Sequence, residues 1–307
     1  MVDLHGKKVV VVGVTGQVAT PLAITLSETA SVIGAARFSS PSHRDHLEAE
    51  GIECVTIDLE NGDVGNIPRD ADYILNFAVA KTNDWTRDLD SNVGGVLSLM
   101  EHCENASAFL QCSSTAVYKA MGHHVFDEDG PLGDNHGVWE FLRTYSTSKI
   151  ATEAAVRWAA RRFEIPTTIA RLSVPYGKNG GWPAIHLEMM LNGSPIPVHV
   201  DAPSTYHPIH EDDIARMIPG LLGAASISTT TLNWGGATPV SVEEWCSYMG
   251  DLCGLGVEFA PTEHTIDSVM VDLSRLHEVV GETSVPWREG MREMVAARHP
   301  ELLPSTS

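Results

Sequence analysis

Tyr145 and Lys149 are the two side chains of this sequence that are best suited to move a proton together. They lie four residues apart in a stretch with helical patterning, 138–163, so both side chains project from the same helix face. A nearby ammonium group favours the phenolate form of a tyrosine and so allows proton exchange near neutral pH. We therefore predict that Tyr145 is a catalytic acid and base and that Lys149 assists it.

A group of hydroxyl side chains follows an apolar run at 108–112. Ser113, Ser114 and Thr115 come directly after this run, where a parallel strand would end and where open α/β sheets bind ligands. A hydroxyl at this edge can hold a carbonyl or carbinol oxygen, although the same serines could simply cap a turn or a helix. Together with Tyr145, the group indicates chemistry at a carbonyl or alcohol carbon.

A glycine-rich turn near the N-terminus is suited to binding a dinucleotide. The turn, 13–19, follows a valine-rich run at 7–12 and opens a helical stretch. Gly13 permits a tight bend, Gly16 lets the backbone approach a pyrophosphate, and N–H groups at the helix start attract the anion. The residues that we expect to contact the cofactor here are Gly13, Thr15, Gly16, Gln17 and Val18.

The segment after the second strand bears on the choice between NAD(H) and NADP(H). Residues 35–40 include no acid that would bind the adenosine ribose hydroxyls, whereas Arg37 could receive a 2′-phosphate. The sequence therefore favours NADP(H), although Arg37 could equally be a solvated residue at a strand end. Further cofactor contacts are expected after the third strand, at Asp58 and Leu59, and after the fourth, at Phe77, Ala78 and Val79.

The elements that must position these residues follow from the alternation of apolar runs and helical stretches. Six apolar runs, at 7–12, 31–36, 52–57, 72–77, 108–112 and 167–172, predict the strands. Helical stretches between them, including 84–104 and 138–163, predict an α/β fold with a Rossmann doubly wound parallel sheet. We expect an NAD(P)-binding domain over 1–176, with a returning segment near 205–236, and a smaller mixed α/β domain over 177–307 that binds mainly the substrate.

The composition restricts the partners and the compartment. Forty acidic and 20 basic residues give a formal net charge of -20, which disfavours nucleic acid and anionic membrane surfaces as partners. No apolar run is long enough to span a bilayer, and no signal peptide is evident. Five cysteines without a C-x-x-C pair indicate thiols in a reducing compartment, so a cytoplasmic protein is expected.

No metal site is predicted. A loop at 123–129 contains His123 and His124 together with three acidic residues, and we interpret it as solvated. The isolated cysteines lack the spacing of a zinc site.

Taken in order, these motifs resemble those of the extended short-chain dehydrogenase/reductases, a group that includes nucleotide-sugar epimerases and dehydratases. The matching segments are 13–19, 58–59, 76–78, 91–95, 113–118, 145–149, 171–177 and 209–215. The resemblance implies that Ser114 is the catalytic hydroxyl, with Thr115 beside it, and that Val174 lies next to the nicotinamide amide. It also implies a homodimer formed through the helical stretches 84–104 and 138–163.

Departures from the nucleotide-sugar pattern shape the expected function. Those enzymes usually have an asparagine in the segment matching 171–177 and an arginine shortly before Ile209, and both help to bind a diphosphate. This chain has Leu172, Ser173 and Val174 in the first segment and no arginine in 204–208. It also has Thr115 and Ala116 where dehydratases place an acidic pair, which disfavours dehydration.

The expected function is therefore an NAD(P)-dependent oxidoreductase that transfers a hydride between nicotinamide and a carbonyl or alcohol carbon of a small or apolar substrate. Candidate substrate contacts are Lys81, Trp85, Thr115 and Trp182. Two alternatives stay open: a nucleotide-sugar epimerase with tightly bound NAD, and a non-catalytic NADP-sensing regulator. The intact set of Ser114, Tyr145 and Lys149 argues against the regulator.

Overall fold

Seven parallel strands form the central sheet in a computed structural model that describes residues 1–303. They are β1 (Lys8–Val12), β2 (Ser31–Ala36), β3 (Glu53–Thr56), β4 (Tyr73–Asn76), β5 (Ala108–Ser114), β6 (Thr167–Leu172) and β7 (Thr230–Trp234). Their order across the sheet is β3-β2-β1-β4-β5-β6-β7. The predicted Rossmann sheet is confirmed, because this order, which reverses between β1 and β4, is that of doubly wound dinucleotide-binding folds.

The strands are apolar throughout because both faces of the sheet are covered. Val9 and Val11 pack into one core, and Val10 and Val12 pack into the other, with none of the four exposed. The helices that cover the sheet and build the C-terminal region are α1 (Ala19–Ser27), α2 (Pro41–Ala49), α3 (Trp85–Leu89), α4 (Gly95–His102), α5 (Tyr145–Phe163), α6 (Trp182–Leu191), α7 (Glu211–Gly223), α8 (Val242–Cys253), α9 (Ser274–Val280) and α10 (Trp287–Arg298). Within residues 1–303, no helix combines the length and the apolar character needed to cross a bilayer.

The predicted helical stretch over 84–104 is helical from Trp85 to His102, but its middle turn is not α-helical. A π-helical turn, Asp90–Gly94, separates α3 from α4. Inside this turn the Asn92 side chain accepts a hydrogen bond from the Ala80 N–H and donates one to the Ala80 carbonyl, both at 2.8 Å. The widened turn thus lets Asn92 bind the backbone of the segment that follows β4.

The second long helix also begins later than the pattern indicates. Residues Glu140–Leu142 form a separate 3₁₀ turn, and α5 starts only at Tyr145. The proposed acid and base is therefore the first residue of its helix. This position fixes the backbone of Tyr145 while leaving its side chain next to the loop that precedes the helix.

A C-terminal domain is built from α6, α8 and α10 with short strands. The short strands outside the central sheet are Val125–Phe126, Pro175–Gly177, Gly180–Gly181, Ile196–His199, Thr205–Tyr206, Ile209–His210, Val240–Ser241, Phe259–Thr262 and Met270–Val271. Trp245 is fully buried there and donates a 2.9 Å hydrogen bond from Nε1 to Nδ1 of His186.

The C-terminal half of the chain also completes the central sheet. β7 pairs in parallel with β6 from Thr230 opposite Thr168 to Trp234 opposite Leu172. α7 packs against α1 on one face of the sheet. The predicted division into 1–176 and 177–307 stays a prediction, and the last four residues of the second range lie outside the described part of the chain.

Candidate active site

A cleft of about 680 Å³ opens at the carboxyl edge of the sheet, between the ends of β1 and β4. This is the place where the strand order reverses and where open α/β sheets bind ligands. The residues named from the sequence that line it are Gly13, Thr15, Gly16, Gln17, Val18, Arg37, Asp58, Leu59, Phe77, Ala78, Val79, Lys81, Ser114, Tyr145 and Lys149. Segments far apart in the chain therefore meet around one cavity.

The glycine turn forms a tight floor under this cleft. Gly13 has a φ of 78°, and its N–H donates a 2.8 Å hydrogen bond to the Ala35 carbonyl. A Cβ atom on Gly13 would lie 2.6 Å from the backbone of Ala78, and one on Gly16 would lie 3.1 Å from the Gly13 carbonyl oxygen. The turn therefore presents bare backbone to the cleft just before α1, which fits the phosphates of a dinucleotide.

Tyr145 and Lys149 meet where β5 ends. The Lys149 Nζ atom donates a 2.9 Å hydrogen bond to the Cys112 carbonyl and lies 5.9 Å from the centre of the Tyr145 ring. Lys149 is buried, whereas Tyr145 is half-buried at the cleft wall. The hydrogen bond holds the ammonium group in place, so that it faces the cleft beside the phenol.

Ser114 is the last residue of β5 and lines the same cleft. Its hydroxyl oxygen accepts a 3.1 Å hydrogen bond from the Ala116 N–H and so caps the 3₁₀ turn Thr115–Val117. The capping role that the sequence left open is thus present. Because the oxygen accepts this bond, the hydroxyl proton is available to a substrate oxygen in the cleft.

A buried carboxylate connects the start of α5 with the cleft wall. Asp88 is fully buried and accepts hydrogen bonds from the Thr144 hydroxyl at 2.6 Å and from the Thr82 N–H at 2.9 Å. Burial by itself raises the pKa of Asp88, but these hydrogen bonds outweigh it and hold the pKa below its usual range. Asp88 therefore fixes both the residue before Tyr145 and the segment around Lys81.

A second buried carboxylate supports the end of β5 from behind. Glu153 accepts hydrogen bonds from the Ser113 hydroxyl at 2.6 Å and from two guanidinium nitrogens of Arg171 at 2.9 and 2.8 Å. Burial raises the pKa of Glu153, but the hydrogen bonds and charge of Arg171 outweigh it and lower the pKa. This pair ties α5 to β5 and β6 directly behind Ser114.

The end of the cleft near β2 combines exposed and polar groups. Arg37 is exposed, and Ser39, Ser40 and His43 line the wall beside it. The Asp58 carboxylate is engaged within its own turn, because it accepts hydrogen bonds from the Glu60 N–H at 3.0 Å and from Asn61 Nδ2 at 2.7 Å.

Four residues named from the sequence lie off the cleft wall. Trp85 is 46% exposed at the start of α3, and Thr115 is buried in the 3₁₀ turn. Val174 packs into the core, while its neighbours Ser173 and Pro175 line the cleft. Trp182 packs in the C-terminal domain against Tyr206 and Trp245, and its expected contact with the substrate stays a prediction.

Several residues that line the cleft were not predicted from the sequence. Glu60 and Arg87 both line the cavity and form an ion pair of 2.8 Å with each other. Thr82, Ser91 and His43 also line it. Ser91 begins the motif segment 91–95 but was not named as a cleft residue. No motif marks the other four positions, since each is a single polar residue whose distance from the cleft depends on the packing of a loop or a helix turn.

Aromatic side chains extend from Tyr145 beyond the cleft. We name His136, Trp139, Phe141 and Trp182 the aromatic wall. The ring centres of His136 and Tyr145 lie 5.5 Å apart, and those of His136 and Trp139 lie 5.6 Å apart. The Trp139 ring is 5.3 Å from Phe141 and 5.9 Å from Trp182. Apolar ring surface is therefore continuous from the phenol to the C-terminal domain.

Comparison with known proteins agrees with this arrangement. The family model of the NAD-dependent epimerase/dehydratase family matches residues 9–227. A curated relative from Arabidopsis thaliana, the trifunctional UDP-glucose 4,6-dehydratase/UDP-4-keto-6-deoxy-D-glucose 3,5-epimerase/UDP-4-keto-L-rhamnose-reductase RHM3, is 26% identical over 188 residues. That match covers 56% of this chain and 27% of the relative, so it concerns about a quarter of the larger protein.

Solved structures of similar fold cover nearly the whole chain. UDP-N-acetylglucosamine 4-epimerase from Methanobrevibacter ruminantium superposes with a TM-score of 0.82 at 17% identity, over 97% of this chain and 99% of that one. UDP-glucose 4-epimerase from Thermotoga maritima gives 0.80 at 18% identity, over 96% and 99%. MoeE5, in complex with UDP-glucose and NAD, gives 0.77 at 20% identity, over 96% and 99%. These likenesses show a common fold, and the family match over more than half of its length shows that this chain belongs to the NAD-dependent epimerase/dehydratase family.

Proposed function

We propose that this protein is an NAD-dependent enzyme that moves a hydride and a proton at an alcohol carbon, with nucleotide-sugar epimerisation as the leading reaction. The proposal rests on one observation. Ser114, Tyr145 and Lys149 all line the cleft whose floor is the glycine turn. Family membership and the nucleotide-sugar enzymes among the structural neighbours favour the epimerase over the simple oxidoreductase that the sequence alone suggested.

The proposed chemistry divides between the protein and the cofactor. When bound, a nicotinamide dinucleotide accepts a hydride from the substrate carbon and can return it. Tyr145 takes the proton from the substrate hydroxyl as the carbon is oxidised and gives it back on reduction. Ser114 donates a hydrogen bond to the same oxygen, and Lys149 stabilises the phenolate and holds the cofactor ribose.

The remaining cofactor contacts follow the cleft from its glycine floor to its open end. The phosphates would lie over Gly13, Thr15, Gly16, Gln17 and Val18. Adenosine would lie near Arg37, Asp58 and Leu59, and the nicotinamide near Phe77, Ala78, Val79 and the backbone around Val174. Lys81 is the proposed substrate contact on the cleft wall.

A second candidate is a dehydrogenase or reductase for an apolar substrate. Its support is the aromatic wall beside Tyr145, together with Leu172 and Ser173 lining the cleft where nucleotide-sugar enzymes usually place an asparagine. The difference between the candidates is the fate of the cofactor. An epimerase regenerates it in every turnover, whereas a dehydrogenase leaves it reduced or oxidised.

The deciding experiment incubates the NAD-loaded protein with UDP-glucose and follows both sugar composition and absorbance of the reduced nicotinamide. We expect formation of the 4-epimer without net reduced cofactor, and loss of that activity in Tyr145→Phe with cofactor binding retained. Net cofactor reduction would favour the second candidate. Near-normal kcat in Tyr145→Phe would refute both, because neither could then use this phenol.

The assembly and compartment extend this proposal. We propose a homodimer formed through α4 and α5, which pack side by side and expose Trp158 at 53%. Light scattering that shows only a single chain of 33.2 kDa would refute it. Residues 1–176 would bind mainly the cofactor and 177–307 mainly the substrate. The five cysteines are free thiols, which supports a reducing compartment such as the cytoplasm.

A further inference from the structure

The aromatic wall begins directly beside the proposed acid and base. The His136 ring lies 5.5 Å from the Tyr145 ring at an interplanar angle of 51°, and the rings of His136 and Trp139 meet edge to face at 84°. At the outer end Phe141 is 64% exposed and is stacked on Trp139 with an interplanar angle of 16°. These rings lie off the lining of the cleft itself and extend the apolar surface outward from Tyr145.

The loop that bears the wall is held in a defined shape. The Asn135 side chain donates to the Asp267 carbonyl at 3.2 Å and accepts from the Asp267 N–H at 3.0 Å. The Trp139 N–H donates to the His136 carbonyl at 3.0 Å, which closes a turn between the two aromatic residues. These bonds fix the rings before a ligand arrives, so little ordering entropy is lost on binding.

The wall is apolar despite its histidine. Nδ1 of His136 is buried without a hydrogen-bond partner in the described chain. Burial lowers the pKa of His136 to about 4, so the imidazole is neutral near pH 7 and offers a flat uncharged ring. Trp139 and Trp182 are half-buried. The Trp182 ring packs against the Tyr206 ring, with 5.0 Å between the ring centres.

We propose that His136 and Trp139 bind the substrate by stacking against the flat face of the ring that includes or adjoins the reacting carbon. The inference rests on the proposed role of Tyr145, which sets where that carbon lies. A flat ring face with C–H or π character occurs in two sources, the pyranose of a nucleotide sugar and the aryl group of an aromatic ketone. Both would stack on aromatic side chains, and the experiment separates them.

The test measures binding to the NAD-loaded protein by calorimetry, with UDP-glucose and acetophenone as the two probes. Trp139→Leu and His136→Ala should each weaken binding of the accepted probe about three- to tenfold, the usual range for one aromatic contact. His136→Phe, which keeps a ring but no nitrogen, should stay within about twofold of the unaltered protein. His264→Ala removes an exposed imidazole outside the wall and outside the proposed dimer face, and is the matched control.

The outcomes decide the proposal. Weakened UDP-glucose binding would assign the wall to the pyranose, and weakened acetophenone binding would assign it to an aryl group. Unchanged affinity in Trp139→Leu and His136→Ala, equal losses in His136→Ala and His136→Phe, or no binding of either probe would overturn it. Tyr145→Phe tests the proposed function separately. Surviving turnover in that variant would refute the proposed function and the assumed position of the reacting carbon, whereas the affinities of the wall variants decide by themselves whether the rings bind the probe.

Discussion

The hydroxyl of Thr144 donates a 2.6 Å hydrogen bond to the buried carboxylate of Asp88, and the same carboxylate holds the backbone of Thr82. The residue before the proposed acid and base is thereby joined to the wall of the cleft. Tyr145 begins its helix at this point, so the bond controls where the phenol stands relative to the loop that includes Lys81.

Replacing Thr144 with valine removes this bond while keeping the side-chain shape. We expect the free energy of unfolding to fall by about 1.5–3 kcal/mol, the range for a hydrogen bond to a charged group. We also expect kcat to fall more than KM rises, because the phenol is displaced. Urea denaturation and steady-state kinetics measure the two effects. Thr147→Val, at an exposed position on α5, is the control, and equal behaviour of the two variants would contradict the positioning role.

Glu153→Gln should be among the most destabilising single substitutions in this chain. It leaves the guanidinium of Arg171 buried without its charged partner, a change that typically costs about 3–5 kcal/mol. The midpoint of urea unfolding measures the loss. Glu101→Gln, at an exposed site on the neighbouring helix α4, should change the midpoint little. A Glu153→Gln protein as stable as the control would mean that the ion pair contributes nothing to the fold.

Acid should destabilise the protein through the same two carboxylates. The pKa values of Asp88 and Glu153 are both lowered, so each group stabilises the fold at pH values above the ordinary carboxyl pKa. That contribution is lost as the pH falls through the lowered values, below about pH 4. Thermal unfolding of unaltered protein and of Asp88→Asn across this pH range tests the idea. The variant should lose less stability on acidification, and parallel pH curves would contradict the assignment.

Gly13→Ala should impair cofactor binding and stability together. The added methyl group would lie 2.6 Å from the backbone of Ala78, and the φ of 78° is unfavourable for alanine. We expect the Kd for NAD, measured by fluorescence titration, to rise at least about tenfold, equivalent to about 1.4 kcal/mol. Gly65→Ala has open space around its Cβ position and serves as the control. Unchanged affinity would mean that the turn does not contact the dinucleotide.

Arg37 provides the test of cofactor choice. If its guanidinium receives a 2′-phosphate, the protein should bind NADPH more tightly than NADH, and Arg37→Asp should remove or reverse that difference. Fluorescence titration with both cofactors measures it. Arg69→Asp changes an exposed arginine away from the cleft and controls for net charge. Equal dissociation constants in the unaltered protein would exclude Arg37 from the phosphate site.

The central sheet was predictable because its strands are continuous apolar runs. The predicted strand at 31–36 coincides with β2, and the run at 167–172 coincides with β6. The juxtaposition of Tyr145 and Lys149 was also predictable, since helix geometry fixes which residues four positions apart face each other. In both cases local pattern and final structure agree.

Other parts of the site depend on contacts between distant segments and left no local signal. Asp88 looks like an ordinary surface acid in the sequence, yet it is buried because Thr82 and Thr144 both bind it. The π-helical turn around Asn92 places its side chain against the backbone of Ala80, a contact between segments twelve residues apart. Trp182 packs against Tyr206 and Trp245 in the C-terminal domain, and no local pattern in the sequence indicates these partners.

The pairing of β7 with β6 has a consequence for biosynthesis. The ribosome must translate about three quarters of the chain before residues 230–234 are available, so nascent protein exposes the unpaired edge of β6 until then. Polypeptides truncated before residue 230 would retain that open hydrogen-bonding edge, a template for aggregation. Recombinant expression of the nucleotide-binding segment by itself should therefore yield inclusion bodies, unless the missing strand is supplied in trans.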